Sequence, residues 1–330
     1  MTDVQILATL WPTMSHYSQF AKDPRLAGIR LNTAMTDPVE LPGLLDKALN
    51  LAGSKPVYFD VKGRQLRVTY VDPRTDRLEI RLNHPVYVKT PTPVLFKAGA
   101  DGAYLKRIED DGYKLVFHGG PNYTLLKGES LHIRDPSFRN LGKLFTEEQL
   151  QYLDIAKRAG VTRYMLSYAD NTADIDEFRT IVGDSEITAK IENLRGLEWV
   201  KDGYVKTPNL GLLCARGDLF VEVERPHEIS NATKDIIKAD PDAILGSRLL
   251  LSVTNEAVPS CSDLSEVEWL LDKGYRRFMF CDGLCLKGEP LDRAINVLRA
   301  VAADHRLESV AQQYNPIQRL MRSVGLYAGK

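Results

Sequence analysis

Cysteine is scarce, long apolar runs are missing, and neither sign of charge prevails. The 330 residues contain four cysteines, Cys214, Cys261, Cys281 and Cys285, all in the last third. Cys281 and Cys285 have no matching CxxC pair elsewhere, and a zinc site would need more Cys or His nearby. Three of the four sit in or beside apolar strand-like runs, so they read as small buried hydrophobes in a reducing, cytoplasmic compartment. No apolar run approaches the ~18 residues that would cross a bilayer, so no membrane association is expected. Met1-Thr2-Asp3-Val4-Gln5 lacks a basic stretch followed by an apolar one, so no secretory signal is expected. The formal net charge of −1 gives no global field toward nucleic acid. There is no internal repeat and no low-complexity tract.

What is present is an alternation of short apolar runs and amphipathic stretches. Eight runs read as buried strands: Ile6–Leu10, Gly28–Asn32, Val57–Val61, Thr162–Tyr168, Glu186–Ile191, Leu210–Ala215, Asp242–Leu249 and Phe278–Cys281. Helical periodicity falls on Val39–Leu51, Thr172–Val182, Ser230–Ala239, Leu264–Lys273 and Pro290–Ala303, and Thr146-Glu147-Glu148 reads as a capped helix start. Eight βα units are the content of a (β/α)₈ barrel, the TIM-barrel architecture. The barrel takes residues 1–62 and 142–330. Residues 63–141 alternate with period two between turn signals such as Asp72-Pro73 and Asp110-Asp111-Gly112, and read as a small antiparallel β domain inserted after strand 3. The segment Ala311 to Lys330 reads either as a final helix or as nothing assignable.

Chemistry in such a barrel sits at the C-terminal strand ends. Charge converges there: Arg30 and Asn32 after the second strand, Asp60, Lys62 and Arg67 after the third, Lys190 and Glu192 after the fifth, Arg216, Gly217 and Asp218 after the sixth, Ser247 and Arg248 after the seventh. Such charges are expensive to desolvate unless paired or liganded. Glu192 and Asp218, on adjacent strands, suit Mg²⁺ (or Mn²⁺) with positions left for substrate oxygens. Arg30, Lys62, Arg67 and Lys190 suit a phosphoryl group. Each residue alone also has a structural explanation: an ion pair for Lys190 and Glu192, a helix cap for Asp218.

Ala189-Lys190-Ile191-Glu192-Asn193 followed by Ala215-Arg216-Gly217-Asp218-Leu219 and Val221-Glu222 resembles the paired central signature of pyruvate kinases. Asp60-Val61-Lys62-Gly63-Arg64-Gln65-Leu66-Arg67 and Arg30-Leu31-Asn32 resemble two further segments of that family. Ala8-Thr9-Leu10-Trp11-Pro12 and Lys127-Gly128-Glu129-Ser130-Leu131 resemble its opening and the close of its inserted domain. The resemblance covers about the whole chain in order, at low identity.

It implies a phosphotransferase that turns phosphoenolpyruvate and ADP into pyruvate and ATP, or that uses another acceptor. Glu192 and Asp218 would hold Mg²⁺. Lys190 would face the transferred phosphoryl group, and Arg30 and Arg67 its oxygens. Asn32 and Asp60 would serve a K⁺ site, and amides including that of Gly217 would hold the substrate carboxylate. Ser247 would stand for a threonine linked to enolate protonation. Lys127 and Asp101 would face the site from the inserted lid.

The departures are Ala34, Val61 and Gln65 at the K⁺ side, where Arg64 is a candidate replacement charge, and the strand-end segments Gly246–Leu250 and Cys281–Cys285. The family's C-terminal regulatory domain has no counterpart, so control through it is not expected. Two other readings stand beside the first: a Mg²⁺-dependent lyase or aldolase-type enzyme working through pyruvate enolate, and a non-catalytic binding protein. A barrel-to-barrel homodimer is compatible with all three.

Overall fold

The structure is a computed structural model and describes residues 4–73 and 77–313. The chain opens with β1 (Gln5–Thr9), α1 (Tyr17–Ala21), β2 (Gly28–Asn32), α2 (Leu41–Ala52) and β3 (Val57–Val61). It then leaves for the insertion: β4 (Val68–Val71), β5 (Glu79–Leu82), β6 (Val86–Tyr87), β7 (Thr92–Phe96), β8 (Asp101–Glu109), β9 (Lys114–His118), β10 (Leu131–Ile133) and β11 (Arg139–Asn140). It returns through α3 (Glu147–Arg158), β12 (Arg163–Leu166), α4 (Thr172–Val182), β13 (Glu186–Ile191), α5 (Leu194–Asp202), β14 (Leu210–Ala215), α6 (Arg216–Glu222) and α7 (Ile229–Ala239). The last elements are β15 (Ile244–Gly246), α8 (Cys261–Asp272), β16 (Arg277–Phe280), α9 (Asp282–Cys285) and α10 (Gly288–Gln313).

Eight parallel strands close a barrel in the order β1-β16-β15-β14-β13-β12-β3-β2. The protein is therefore a (β/α)₈ barrel with an antiparallel β insertion after its third strand. The insertion is a six-stranded sheet, β10-β7-β8-β9-β5-β4, with its own apolar core around Leu82, Val94, Phe96, Leu105 and Phe117. The short pair β6–β11 stands beside it. Re-entry is fixed by Thr146, whose hydroxyl accepts from the Gln149 amide while the Gln149 side chain accepts from the Thr146 amide, satisfying two otherwise unpaired donors at the start of α3. Among the described residues no helix is long and apolar enough to cross a membrane.

Period-two alternation then decides where the chemistry lies. Leu7, Tyr58, Met165, Leu213, Ile244 and Met279 point inward and fill the barrel as one apolar plug. Two residues further along the same strands, the inward positions are Thr9, Asp60, Ser167 and Ala215, and Arg30 and Lys190 join that upper layer. Polar groups directly above a dry plug have no water beneath them, so they must satisfy one another.

The seventh strand is shorter than the run Asp242–Leu249 suggests. Ser247, Arg248 and Leu250 take left-handed conformations (φ 70°, 56° and 52°), which ends the ladder at Gly246. Helices α1, α5, α6 and α9, and the insertion's strands β7, β10 and β11, have no counterpart in the sequence pattern. Two cysteines, Cys214 and Cys285, are buried, but Cys261 is exposed in the first turn of α8, contrary to the expectation for the set. Residues 311–313 extend α10, and the rest of the segment to Lys330 lies outside the described residues.

Candidate functional site

Asp60, fully buried, is the hub. Its Oδ2 accepts from Arg30 Nε at 2.7 Å and Nη2 at 2.5 Å, faces Lys190 Nζ at 3.2 Å and lies 3.5 Å from Lys62 Nζ. Its Oδ1 accepts from the Ser167 hydroxyl at 3.1 Å. Burial alone would raise this carboxyl's pKa, but Arg30, Lys190 and Lys62 outweigh it and hold the group far below the carboxylate range. Lys62 responds oppositely: burial, together with the charges of Lys190, Arg30 and Arg67, pushes its amine down to about 7 despite Asp60.

Lys190 is held on three sides. Besides Asp60 it reaches Ser167 Oγ at 2.7 Å and Glu192 Oε1 at 3.0 Å. The two carboxylates overcome the burial penalty and keep its ammonium charged above the ordinary range. The other oxygen of Glu192 accepts from the Tyr168 amide at 2.9 Å. Tyr168 adopts φ 53°, a strained conformation for a large side chain, and that turn at the end of β12 aims the amide at Glu192. Burial, with Asp218 and Asp60 nearby, pushes the Glu192 carboxyl up, so it gains from any added cation.

Asp218 stands in the first turn of α6 and Glu222 one turn later, on the same helix face. Both meet His132 from the insertion: Nδ1 lies 2.8 Å from Glu222 Oε1, and Nε2 lies 3.7 Å from Asp218 Oδ1. Arg134 Nη2 donates to the Val223 and Glu224 carbonyls at 2.6 and 3.0 Å, fastening the insertion to the barrel as a docked lid. Gly217 lies against Ser247, and a Cβ there would overlap the Ser247 hydroxyl. Between lid and barrel runs a cleft of about 800 Å³, apolar along Leu66, Leu95, Leu131 and Phe138, and bordered by His132, Tyr168 and Glu222.

The structure therefore brings together Arg30, Asp60, Lys62, Lys190, Glu192 and Asp218 as the sequence suggests. Arg67 joins them from the lid hinge. Its guanidinium donates to Gln65 Oε1 at 3.1 and 2.7 Å and to the Gly128 carbonyl at 2.5 Å, neutral acceptors in each case. Burial lowers its pKa, with Asp218 and Asp60 opposing.

Other residues are placed differently. Lys127 sits on the lid turn beside Gly128 with its side chain exposed. Asp101 accepts from its own neighbour Gly102 and from the Asn122 amide at 2.8 Å, so it closes a lid turn rather than facing the site. Arg64 pairs with Asp174 of α4 at 2.6 Å and supplies no charge to the cation site. The K⁺ expectation fits this donor set poorly. Asp60 is surrounded by three cations, and the Asn32 side chain donates to Asp282 at 2.8 Å while its oxygen accepts from the Ala34 amide at 3.2 Å.

Four residues of the site carry no assigned role in the sequence reading: Asp282, His132, Tyr168 and Ser167. Asp282 joins Arg30 Nη1 at 3.1 Å and Asn32, which closes that side of the mouth with a carboxylate. Thr9, from the opening motif, accepts from Arg30 Nη1 at 3.1 Å.

Among the described residues, no three His, Cys, Asp or Glu side chains already form a ligand cage. Glu192 and Asp218 nonetheless fit a hard divalent cation, which needs only one or two carboxylates and takes its other oxygens from water and substrate. Arg30, Lys62, Arg67 and Lys190 are balanced by Asp60, Glu192, Asp218 and Asp282. Glu222 adds a fifth carboxylate and Lys62, with its amine at about 7, is only partly charged, so a divalent cation would bring the positive charge that a small anion needs. No protein-family model matches the chain, and no curated protein matches it.

Proposed function

We propose that this barrel is a divalent-cation-dependent phosphotransferase of the pyruvate-kinase type, acting on phosphoenolpyruvate with ADP or another acceptor. The observation that carries the reading is Lys190. It is a buried ammonium kept charged, fixed by Asp60, Ser167 and Glu192, at the strand end next to the two carboxylates that suit the cation. A preorganised cation in a dry site stabilises charge that develops on phosphoryl oxygens, because it needs no reorientation as the bond breaks.

Arg67 adds a guanidinium whose hydrogen bonds go to neutral groups, free to exchange them for phosphate oxygens. The bound cation would supply charge neutralisation on substrate oxygens, with Glu192 and Asp218 as its protein ligands. Asp60 sets the geometry by holding Arg30, Lys62 and Lys190 apart at fixed distances. With substrate filling the cleft, the docked lid would exclude water from the layer above the apolar plug.

Asp282 favours a second reading, a lyase or aldolase-type enzyme working through pyruvate enolate. It takes up Arg30 and Asn32 on the side where the resemblance puts the monovalent cation, while the open cleft lies on the opposite side, toward β12–β14.

Titration calorimetry tests the element common to both readings, a site for a small anion assembled with a divalent cation. Phosphoenolpyruvate is expected to bind at least ~10-fold more tightly with Mg²⁺ or Mn²⁺ than with EDTA, and Glu192→Gln is expected to erase the difference. Equal affinity with and without the cation would defeat the assignment.

A further inference from the structure

Ser167 is fully buried, and its hydroxyl, rather than either carboxylate, makes the shortest contact to Lys190. It reaches the upper layer by alternation. Met165 of β12 points into the apolar plug, and Ser167 lies two residues on, just past the end of the strand. Its backbone is clamped there. The Ser167 amide donates to the Val61 carbonyl at 2.9 Å, and Tyr168 turns at φ 53° directly after it. Gly63 packs on the Ser167 carbonyl, where a Cβ would come within 2.5 Å, and its own φ of 51° also calls for glycine. A backbone shift that would withdraw the hydroxyl is opposed on each side.

The direction of the hydroxyl is fixed as well. An ammonium only donates, so Ser167 Oγ accepts from Lys190 Nζ at 2.7 Å. The one hydroxyl hydrogen is left for Asp60 Oδ1 at 3.1 Å, while Asp60 Oδ2 accepts from Lys190 at 3.2 Å. Lys190, Ser167 and Asp60 thus close a ring in which each hydrogen bond sets the next. Glu192 Oε1, at 3.0 Å, is left for the third ammonium hydrogen.

A hydroxyl does here what a further carboxylate could not. A carboxylate would hold the ammonium as closely but cancel its charge, whereas a neutral acceptor fixes it and leaves the charge for an incoming anion. In the proposed function the divalent cation would draw on Glu192, so Ser167 and Asp60 are the anchors that remain as the site fills. Resting on the role proposed for Lys190, we infer that Ser167 is its positioning residue: through the ring with Asp60 it sets where the ammonium points, without touching substrate. The alternative is a buried hydroxyl that satisfies its neighbours and adds only stability.

NMR of the lysine ammonium groups in the full chain separates the two, with Lys190→Met assigning the signal. In wild type, Lys190 should give a ¹⁵N–¹H signal at pH 7 that exchanges slowly with water. Ser167→Ala should shift that signal and speed its exchange at least ~10-fold, because one of three bonds is gone. With phosphoenolpyruvate, ADP and the divalent cation, Ser167→Ala should lower kcat by ~10–100-fold, the cost of a misaimed catalytic group, and leave KM within about twofold. Ser167→Thr keeps the hydroxyl and should recover most of both. A lower urea midpoint with unchanged kcat and an unmoved Lys190 signal would overturn the inference. So would a wild-type Lys190 signal that exchanges as fast as those of surface lysines, a result that needs no variant. If wild type transfers nothing from phosphoenolpyruvate, the proposed function fails by itself, and the ammonium signals still decide whether Ser167 positions Lys190.

Discussion

Asp60→Asn is expected to destabilise the protein by about 3–5 kcal/mol, read as a fall in the urea midpoint, because it leaves buried Arg30, Lys62 and Lys190 without their common counter-charge. The layer beneath is Leu7, Tyr58, Met165, Leu213, Ile244 and Met279, which offers no charged group in compensation. Asp282 reaches Arg30 and Glu192 reaches Lys190, so each of those cations keeps one partner, whereas Lys62 keeps none among the carboxylates within ion-pair distance in the described residues.

The same substitution has a pH signature. Asp60 has a folded pKa well below its unfolded value, so it binds fewer protons when folded. Its contribution is fully present above the unfolded carboxylate value of about 3.9 and is lost as pH falls from there toward the folded value. Wild type and variant should therefore differ most at pH 5 and above, and converge in acid. A constant difference from pH 7 to pH 2 would mean that Asp60 acts through packing rather than charge.

Lys190→Met should lower phosphoryl transfer from phosphoenolpyruvate by at least ~10²–10³-fold, the usual cost of losing one preorganised charge-stabilising group. Its length is retained, but the contacts to Ser167, Asp60 and Glu192 go with the ammonium. Glu192 and Asp218 remain, so cation binding survives. Cation-dependent exchange of the pyruvate methyl protons with D₂O should then persist, since enolate formation uses the cation and a nearby acid–base group rather than Lys190. Measuring transfer by a coupled assay and exchange by ¹H NMR on one preparation gives the contrast. Equal loss of both activities would show that Lys190 builds the site rather than acting in the transfer.

Most of the barrel was legible because its strands are buried on both faces and read as continuous apolar runs. β2, β3, β13 and β14 lie where those runs lie. The charge cluster was legible because charges at the ends of such runs must converge in a closed barrel. What could not be read was partnership across sequence distance. His132 meets Glu222 across 90 positions and Asp282 meets Arg30 across 252, and neither follows a local spacing. The seventh strand is shorter than its sequence suggests because apolar residues resume at Leu249 and Leu250 after Ser247-Arg248, while the left-handed turns at Ser247 and Arg248 have no glycine to announce them. Asp60 and Arg64 show the limit of carrying roles by position. The first is consumed by three cations, and the second turns away to Asp174, because burial and nearest charge decide pairing locally.

The central claim is that the cluster around Lys190, Glu192 and Asp218 transfers the phosphoryl group of phosphoenolpyruvate. ³¹P NMR of the purified protein with phosphoenolpyruvate, ADP and Mg²⁺ or Mn²⁺ tests it most directly. The account predicts that the phosphoenolpyruvate signal falls as ATP signals grow, only with the divalent cation, and at the same rate without K⁺. A phosphoenolpyruvate signal that persists with ADP, and with no other phosphorylated product across a panel of hydroxyl and amine acceptors, would contradict it.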